Sequence, residues 1–525
     1  MEIYSLSFFL LVSVGLILYY TVFSRCQWIC LLGLSLLFFT ASGWKGLVFL
    51  LFTALTIWLG ALQLAKLDAD SAARRKAPDI TKDEKKAIKA QAVRHKKCLV
   101  AAVLTANFLV LGYFKYWSYF AELLSGAFSA TAPSSLGLVM PLGISFYTFQ
   151  AVGYLIDCYR GRHPAEKNYA RFLLFISFFP QLIQGPINRY GEMAPQLTAR
   201  HIWNWERTKR ALFLFLFGAM KKYAIANLTA PTIAAILDGN DPKLAGSMAL
   251  LAILLYSLQQ YADFSGGIDM VLGVAQLYGI EMMPNFRQPY FSTSLGDFWR
   301  RWHISLGAWM RDYLFYPFAL TKPMQRFGKW ATSHWGKHFG RVLPAAVANL
   351  LVFAVVGIWH GPQAHYLAWG LYNGLVIALA DLLEPAFKKL NTALHIPTES
   401  RGWHVFRILR TFIIVNIGWY FDRNEFVQGC IYLRNTFTDF NLSALAANAP
   451  GAFAAVSGPA WGLVIISTLL VFAHSVLKEQ GRDPYAEVQR LPLALRWVLY
   501  YLVIFMVLLS FICVNETVGF LYANF

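Results

Sequence analysis

Long apolar runs recur along the whole chain, and they constrain its fold more than any other feature. Runs such as 4–23, 46–65 and 343–360 reach or approach the roughly 20 apolar residues that a helix needs to cross a bilayer. Hydrophobic residues make up 57% of the 525 residues and charged residues only 14%, whereas a soluble protein carries about a quarter charged residues. The sequence therefore predicts an all-α polytopic membrane protein.

The net charge of +18 would suggest nucleic acid as a partner of a soluble chain. In a membrane protein it indicates instead the Lys/Arg bias of cytoplasmic loops and some attraction to anionic lipids. The segment Lys66–Lys97 carries eleven Lys/Arg against five Asp/Glu, so we expect a basic cytoplasmic loop at 66–97. We expect membrane lipids, and no nucleic acid, as partners.

The apolar pattern predicts about eleven transmembrane helices, with short re-entrant or interfacial helices among them, in a single membrane-embedded domain over 1–525. The predicted spans are 4–23, 28–43, 46–65, 98–124, 210–228, 248–278, 343–360, 364–384, 408–421, 460–477 and 494–514. Two further segments, Leu136–Tyr159 and Phe172–Tyr190, are interrupted by proline and glycine. They are either re-entrant segments lining a cavity or proline-kinked helices. The polar stretch Asn441–Gly458 reads as a loop.

Ionisable residues next to apolar spans are costly, and function is the usual reason to keep them. The segment Pro289–Pro317 alternates charged and aromatic residues, and its part Ser294–Phe318 predicts one helix near the cytoplasmic interface. It contains His303. A second histidine, His360, ends an apolar span within Gly-Ile-Trp-His-Gly.

Histidine is the commonest general base, and His360 at a cavity floor is placed to accept the proton of an attacking hydroxyl. The alternative is a structural, hydrogen-bonding histidine. His303 has the alternative of an interfacial histidine in an aromatic belt. Arg300 and Arg301 either grip a phosphate or carboxylate or pair with Asp297.

The span 248–278 carries five polar side chains within three turns, too many for a surface that faces lipid: Gln259, Gln260, Asp263, Ser265 and Asp269. The motifs of serine hydrolases, zinc proteases, P-loop proteins and dinucleotide-binding proteins do not occur. The histidines and six cysteines show no zinc-site spacing. We therefore expect neither a metal nor a covalent serine mechanism.

Five blocks of the sequence lie in order within roughly residues 100–440: MPLGISFYTFQAVGYLIDCYRG, FFPQLIQGPINRY, YADFSGGIDMVLG, MPNFRQPYFSTSLGDFWRRWHISLGAWMRDYLFYP and GIWHG. Together, and in this order, they resemble the membrane-bound O-acyltransferase (MBOAT) family, in its bacterial alginate O-acetyltransferase-like branch. The D-alanyl transfer protein of teichoic acid synthesis is a neighbour in that family.

The resemblance implies about eleven helices around a central funnel in a bacterial cytoplasmic (inner) membrane. It implies transfer of an acyl group, expected to be acetyl, from a cytoplasmic thioester to a hydroxyl of a cell-envelope polysaccharide or an acyl-relay partner protein. The donor would be acetyl-CoA or an acyl carrier protein, with no tightly bound cofactor. It implies catalytic roles for His360 and His303. The residues expected to bind substrate are Asp297, Arg300, Arg301, Trp302, Trp359, Asn373, Gln150 and Asp263.

The chain departs from the family pattern at two places. A basic insertion, the 322–341 loop, follows Tyr316-Pro317-Phe318, and with Arg300 and Arg301 it is expected to meet an anionic donor. Asn373 replaces a common histidine, so it can hydrogen-bond but not titrate. Two other functions stay open: D-alanyl transfer from a carrier protein toward lipoteichoic acid, and a transporter or flippase without chemistry.

Overall fold

The computed structural model describes residues 3, 5–78, 80–128, 140–513 and 519. Within these residues the chain is helical and contains no β-strand, only an isolated antiparallel bridge between Phe286 and Trp302. Together with its apolar helices, this confirms an all-α polytopic membrane protein.

In the described residues, eleven α-helices precede the segment Pro289–Pro317. They are α1 (Leu6–Tyr20), α2 (Gln27–Gly43), α3 (Leu47–Arg74), α4 (Lys82–Phe128), α5 (Ile144–Tyr159), α6 (Tyr169–Ser177), α7 (Phe179–Gln184), α8 (Tyr190–Thr198), α9 (Trp205–Ala219), α10 (Asn227–Leu237) and α11 (Gly246–Leu277). A 3₁₀ turn, Trp44–Gly46, precedes α3, and a π-helical segment, Met220–Ala226, joins α9 to α10.

The helices from the 3₁₀ turn Pro289–Phe291 onward are shorter at first and then long again. They are α12 (Leu295–Arg301), α13 (Ile304–Met310), α14 (Tyr316–Ala319), α15 (Lys322–Trp335), α16 (Lys337–His360), α17 (Ala364–Leu382), α18 (Glu384–Ala393), α19 (Arg401–Arg423), α20 (Phe426–Thr438), α21 (Leu442–Phe453), α22 (Gly458–Glu479), α23 (Pro484–Arg490) and α24 (Leu493–Cys513). A second π-helical segment, Arg311–Phe315, lies between α13 and α14.

Six helical stretches of the described chain are long and apolar enough to cross a membrane, or seven if the bent pair of α17 and α18, which turns by 57°, is one span. The six are Gln27–Arg74, Lys82–Ser125, Trp205–Leu237, Lys337–His360, Gly458–Glu479 and Leu493–Cys513. The predicted count of eleven is not confirmed.

The basic segment 66–97 is largely helical rather than a loop. It continues α3 to Arg74 and joins α4, whose start is capped by reciprocal hydrogen bonds between Thr81 and Glu84. At 47 residues, α4 is roughly 70 Å long at 1.5 Å per residue, much longer than the roughly 30 Å apolar core of a bilayer. Its charged first turns therefore extend beyond the span.

The two interrupted segments form helices too short to cross a membrane alone. Residues 136–139 lie outside the described residues; α5 then has 16 residues, α6 nine and α7 six. Pro180 lies in the first turn of α7, and Gly185 follows its last residue. Both the re-entrant and the kinked interpretation remain compatible with these lengths.

Three local predictions were wrong. Ser294–Phe318 is not one helix, because the backbone leaves the helix at Trp302 and His303. The 322–341 loop is α15 followed by the first turn of α16. The segment Asn441–Gly458 is mostly α21, which Asn441 caps by accepting a hydrogen bond from the Ala444 N–H.

The chain divides into two compact units: Met1–Ala211 with Val271–Met283, and Leu212–Met270 with Pro284–Phe525. In the first unit, Phe8 of α1 and Phe38 of α2 pack against the buried Phe179. In the second, the π-helical segment Met220–Ala226 packs with α22 and α24 in a hydrophobic cluster that includes Met220, Val464 and Met506. The candidate histidines both lie in the second unit.

Candidate functional site

His360 is the last residue of α16 and is enclosed by aromatic rings. Its side chain is buried, with the residue 4% exposed. Ring centroids lie 4.9 Å from Trp369, 5.0 Å from Trp359 and 5.9 Å from Tyr366, the last with the rings nearly parallel. Because α16 stops at Gly361 and α17 begins at Ala364, the next helix returns directly beside the imidazole.

Glycines bring α16 and α17 together closely enough to form this enclosure. A Cβ atom at Gly357 would lie 2.5 Å from the carbonyl oxygen of Tyr366, and one at Gly370 would lie 2.3 Å from that of Phe353. No side chain fits at either distance. Small residues at helix contacts allow such close backbone approach in membrane proteins, and here they hold Trp369 and Tyr366 against His360.

His303 occupies a break between two short helices. Its backbone is left-handed, with φ 48° and ψ 52°, a conformation that is uncommon for residues other than glycine. The preceding Trp302 forms the isolated bridge with Phe286. The Ile304 N–H donates to the carbonyl oxygen of Asn285 at 3.0 Å, so the break is fixed by the segment before α12.

The side chain of Asn285 organises His303 and the start of α13. Its Oδ1 accepts from the backbone N–H of Ser305 at 3.0 Å and from the Ser305 hydroxyl at 2.9 Å, and it lies 3.2 Å from Nδ1 of His303. Since a backbone N–H can only donate, the facing Asn285 atom is the oxygen, and His303 Nδ1 must carry the proton. The basic nitrogen of His303 is therefore Nε2.

Burial keeps His303 neutral. The residue is 3% exposed and lies outside the helices long enough to span a membrane. Desolvation lowers its pKa from about 6.5 to about 3, because burial disfavours the charged imidazolium. A histidine of this kind acts as a hydrogen-bonding group or base near neutral pH, and not as a cation.

Trp359 connects the two histidines. Its ring centroid lies 5.0 Å from that of His360 and 6.3 Å from that of His303. Phe264 of α11 packs edge-on against His303 at 4.8 Å. The structure thus brings His303, from the break before α13, into one aromatic cluster with Trp359 and His360 at the end of α16.

Asn373 joins this cluster through two tryptophans. Its Oδ1 accepts from Trp299 Nε1 at 3.0 Å, and its Nδ2 donates to the carbonyl oxygen of Trp369 at 2.8 Å. Trp369 also contacts His360. The amide at this position therefore works as a structural hydrogen-bonding group between α12 and α17.

The other predicted substrate-binding residues in α12 and directly after it contact other side chains of the protein. Trp302 is 1% exposed and packs against Phe286 at 5.1 Å. Asp297 forms an ion pair with Arg301, whose Nε lies 3.1 Å from Oδ2, and Arg301 Nη1 donates to both carboxylate oxygens of Glu479 at 2.9 Å. Arg300 has a more exposed side chain, 3.7 Å from Asp297.

The buried carboxylate of Asp263 has a different neighbourhood from the histidines. It pairs with Lys222 of the π-helical segment, and both side chains are 2% exposed. The adjacent Lys221 pairs with Asp269 at 2.6 Å. Gln150 lies in the first unit, where its Nε2 donates to Gln181 Oε1 at 3.1 Å.

Sequence reasoning missed two features of the second unit. One is Asn285, whose role depends on a fold-back of the chain onto His303. The other is a buried triad in which Tyr256 and Gln260 donate to Asp422 Oδ2 at 2.7 and 2.8 Å. The polar density of α11 pointed to Gln260, but no sequence signal linked it to Asp422, 162 residues away.

Known proteins are similar in sequence to this chain over most of its length. Residues 162–417 match the MBOAT, membrane-bound O-acyltransferase family. The probable alginate O-acetylase AlgI of Pseudomonas syringae pv. tomato is 33% identical over 386 residues, covering 72% of this chain and 68% of the relative. The peptidoglycan O-acetyltransferase of Helicobacter pylori is 29% identical over 364 residues, 64% of each chain. The teichoic acid D-alanyltransferase of Bacillus subtilis is 31% identical over 297 residues, 54% of this chain and 68% of the relative.

The membrane-capable helices and the similarity to O-acetyltransferases together define an integral membrane enzyme of the acyl-transfer class. The chain belongs to the membrane-bound O-acyltransferase family. It is an O-acyltransferase.

Proposed function

We propose that the protein transfers an acetyl group from a thioester donor on the cytoplasmic side of a bacterial cytoplasmic membrane to a hydroxyl on the other side. The acceptor is a cell-envelope polysaccharide or a partner protein that relays the group to it. The names of two relatives, an alginate O-acetylase and a peptidoglycan O-acetyltransferase, support a polysaccharide acceptor. Acetyl-CoA or an acyl carrier protein is the donor.

His360 is the general base of this proposal. The observation that carries it is the buried position of His360 at the end of α16, enclosed by Trp359, Tyr366 and Trp369. A neutral imidazole carries one ring nitrogen with a free lone pair, which is the atom that accepts the proton.

The reaction needs no acyl-enzyme. The acceptor hydroxyl gives its proton to His360 as its oxygen attacks the thioester carbonyl carbon. A new ester C–O bond forms, the C–S bond breaks, and His360 passes the proton to the departing thiolate. His303, sharing Trp359 with His360, lines the donor side and orients the thioester.

The experiment compares O-acyl groups of purified cell envelope, by mass spectrometry, in wild-type, deletion and His360→Ala strains. We expect one O-acetyl species to disappear from both mutant strains while the variant protein is present at wild-type level. His95→Ala, which removes an exposed histidine of α4, is the matched control and retains acetylation. Unchanged envelope acylation in the deletion strain overturns the proposal.

D-alanyl transfer is the second candidate, because one relative, 31% identical over 54% of this chain, bears the name teichoic acid D-alanyltransferase. The same mass spectra separate the two functions, since a D-alanyl ester differs in mass from an acetyl ester. Loss of D-alanine rather than acetyl from the envelope would replace the first proposal by the second.

A further inference from the structure

Two arginines of α19 converge on one residue ahead of α12. Arg407 Nη2 donates to the hydroxyl oxygen of Thr293 at 3.1 Å, and Arg410 Nη2 donates to the carbonyl oxygen of Thr293 at 2.9 Å. The contact spans more than a hundred residues of sequence, and the rings of Tyr290 and Phe412, 5.4 Å apart, pack beside it.

Neither Arg407 nor Arg410 has a carboxylate within ion-pair distance in the described part of the chain. The nearest acid to Thr293 is Asp297, whose Oδ2 lies 3.4 Å from the Thr293 backbone nitrogen. That carboxylate already contacts Arg300 and Arg301. Two guanidinium groups are thus held at one residue by neutral acceptors alone.

Like charges held near one another repel, and an anion that bridges them removes this repulsion. Each guanidinium carries five N–H donors in a fixed fork, and only part of each fork is used on Thr293. A phosphate group matches such forks in a bidentate arrangement. The Thr293 hydroxyl accepts from Arg407 and, because a hydroxyl also donates, can direct its own hydrogen toward the same anion.

We infer that Arg407, Arg410 and Thr293 form a binding site for an organic phosphate. The site is ten residues before His303 on the same segment, which favours a phosphate carried by the acyl donor. Coenzyme A and the phosphopantetheine arm of carrier proteins both carry phosphate groups near their thioester arms. The inference of a donor source rests on the proposed function; the phosphate of an anionic lipid headgroup is the other source of the same chemistry.

The test measures binding of coenzyme A, without an acyl group, to the full-length protein in phosphatidylcholine nanodiscs. We expect the Arg407→Gln/Arg410→Gln variant to bind at least about tenfold more weakly, because it loses the charge-assisted hydrogen bonds to the phosphate. Arg407→Lys/Arg410→Lys keeps the charge without the fork and gives an intermediate affinity. Lys388→Gln/Lys389→Gln removes two exposed charges from α18 and leaves binding unchanged.

A competition experiment uses only the wild-type protein, so its result does not depend on whether a variant folds. Adenosine 3′,5′-bisphosphate should displace coenzyme A if phosphates supply the affinity. For the lipid source, the same proteins are placed in nanodiscs containing phosphatidylglycerol, and retained lipid is counted by native mass spectrometry. Retention that depends on both arginines, without coenzyme A binding, assigns the phosphate to lipid.

The phosphate site is overturned if neither coenzyme A nor phosphatidylglycerol binds. It is also overturned if the measured binding changes neither with the two arginine substitutions nor with adenosine 3′,5′-bisphosphate. This outcome is separate from the role of His360, because His360→Ala is expected to bind coenzyme A as the wild type does. If His360→Ala retains full transfer while the arginine variant loses binding, the proposed base is wrong and the phosphate site stands.

Discussion

Oδ1 of Asn285 lies 3.2 Å from Nδ1 of His303 and also accepts from the backbone and hydroxyl of Ser305. One side chain therefore fixes the ring orientation and the tautomer of a buried histidine and holds the first turn of α13. Outer hydrogen bonds of this kind commonly orient functional side chains.

Replacing Asn285 by alanine should weaken both stability and transfer. It leaves the Ser305 N–H and the His303 Nδ1–H without this acceptor, which costs about 1–3 kcal/mol for a buried group. Asn285→Asp keeps an acceptor oxygen and should restore most of kcat. Thermal unfolding and steady-state transfer rates measure the two effects; wild-type kcat in Asn285→Ala would show that His303 needs no such support.

The lowered pKa of His303 predicts a pH dependence of stability. The unfolded histidine titrates near 6.5 and the folded one near 3, so between these values the unfolded state binds more protons. The free energy of unfolding then falls as pH falls from 6.5 toward 3, by up to about 1.4 kcal/mol per pH unit, and is unaffected above that range.

His303→Asn, which does not titrate, should lose less thermal stability than the wild type between pH 7 and pH 5. The comparison is made by thermal unfolding in one detergent across that range. Parallel curves for the two proteins would mean that His303 is not the group responsible.

The buried pair of Lys222 and Asp263 should behave as a structural unit rather than as part of the site. Lys222→Met leaves a carboxylate buried without its cation, a loss of about 3–5 kcal/mol. The double variant Lys222→Met/Asp263→Leu should recover most of the stability. Lys388→Met, which breaks the exposed pair with Glu384, should cost less than about 1 kcal/mol. Equal losses in single and double variants would contradict the coupling.

Gly370 is expected to be essential for the position of His360. An added Cβ would lie 2.3 Å from the Phe353 carbonyl oxygen, so Gly370→Ala must separate α16 from α17, at a cost of about 1–3 kcal/mol. Transfer should fall with it. Gly462→Ala is the matched control, because a Cβ there meets nothing within 4 Å. Transfer by Gly370→Ala at the control's rate would show that this helix contact does not shape the site.

Much of this fold follows from local sequence. The apolar run to His360 and the Gly-Pro after it predict where α16 ends, and the structure agrees. The polar residues of α11 were expected away from lipid, and Gln260, Asp263 and Ser265 are each 1% exposed. In both cases the neighbouring residues in the sequence are enough to predict the end of a helix or the burial of a side chain.

The remainder depends on contacts between distant segments. Nothing near His303 signals a break, since neither glycine nor proline is adjacent; the bridge from Phe286 to Trp302 imposes it. The role of Asn373 likewise depends on Trp299, 74 residues earlier. Periodicity along one segment carries no information about such partners.

The central claim is that His360 is the general base, and the most direct test is the transfer rate of purified protein in proteoliposomes. The variants compared are His360→Ala and His95→Ala, at equal amounts and with equal thermal stability. A general base contributes about 10²–10⁴-fold, so we predict that His360→Ala loses at least about a hundredfold in kcat while His95→Ala stays at the wild-type rate. A His360→Ala rate within about twofold of wild type, far smaller than a base contributes, would contradict the assignment.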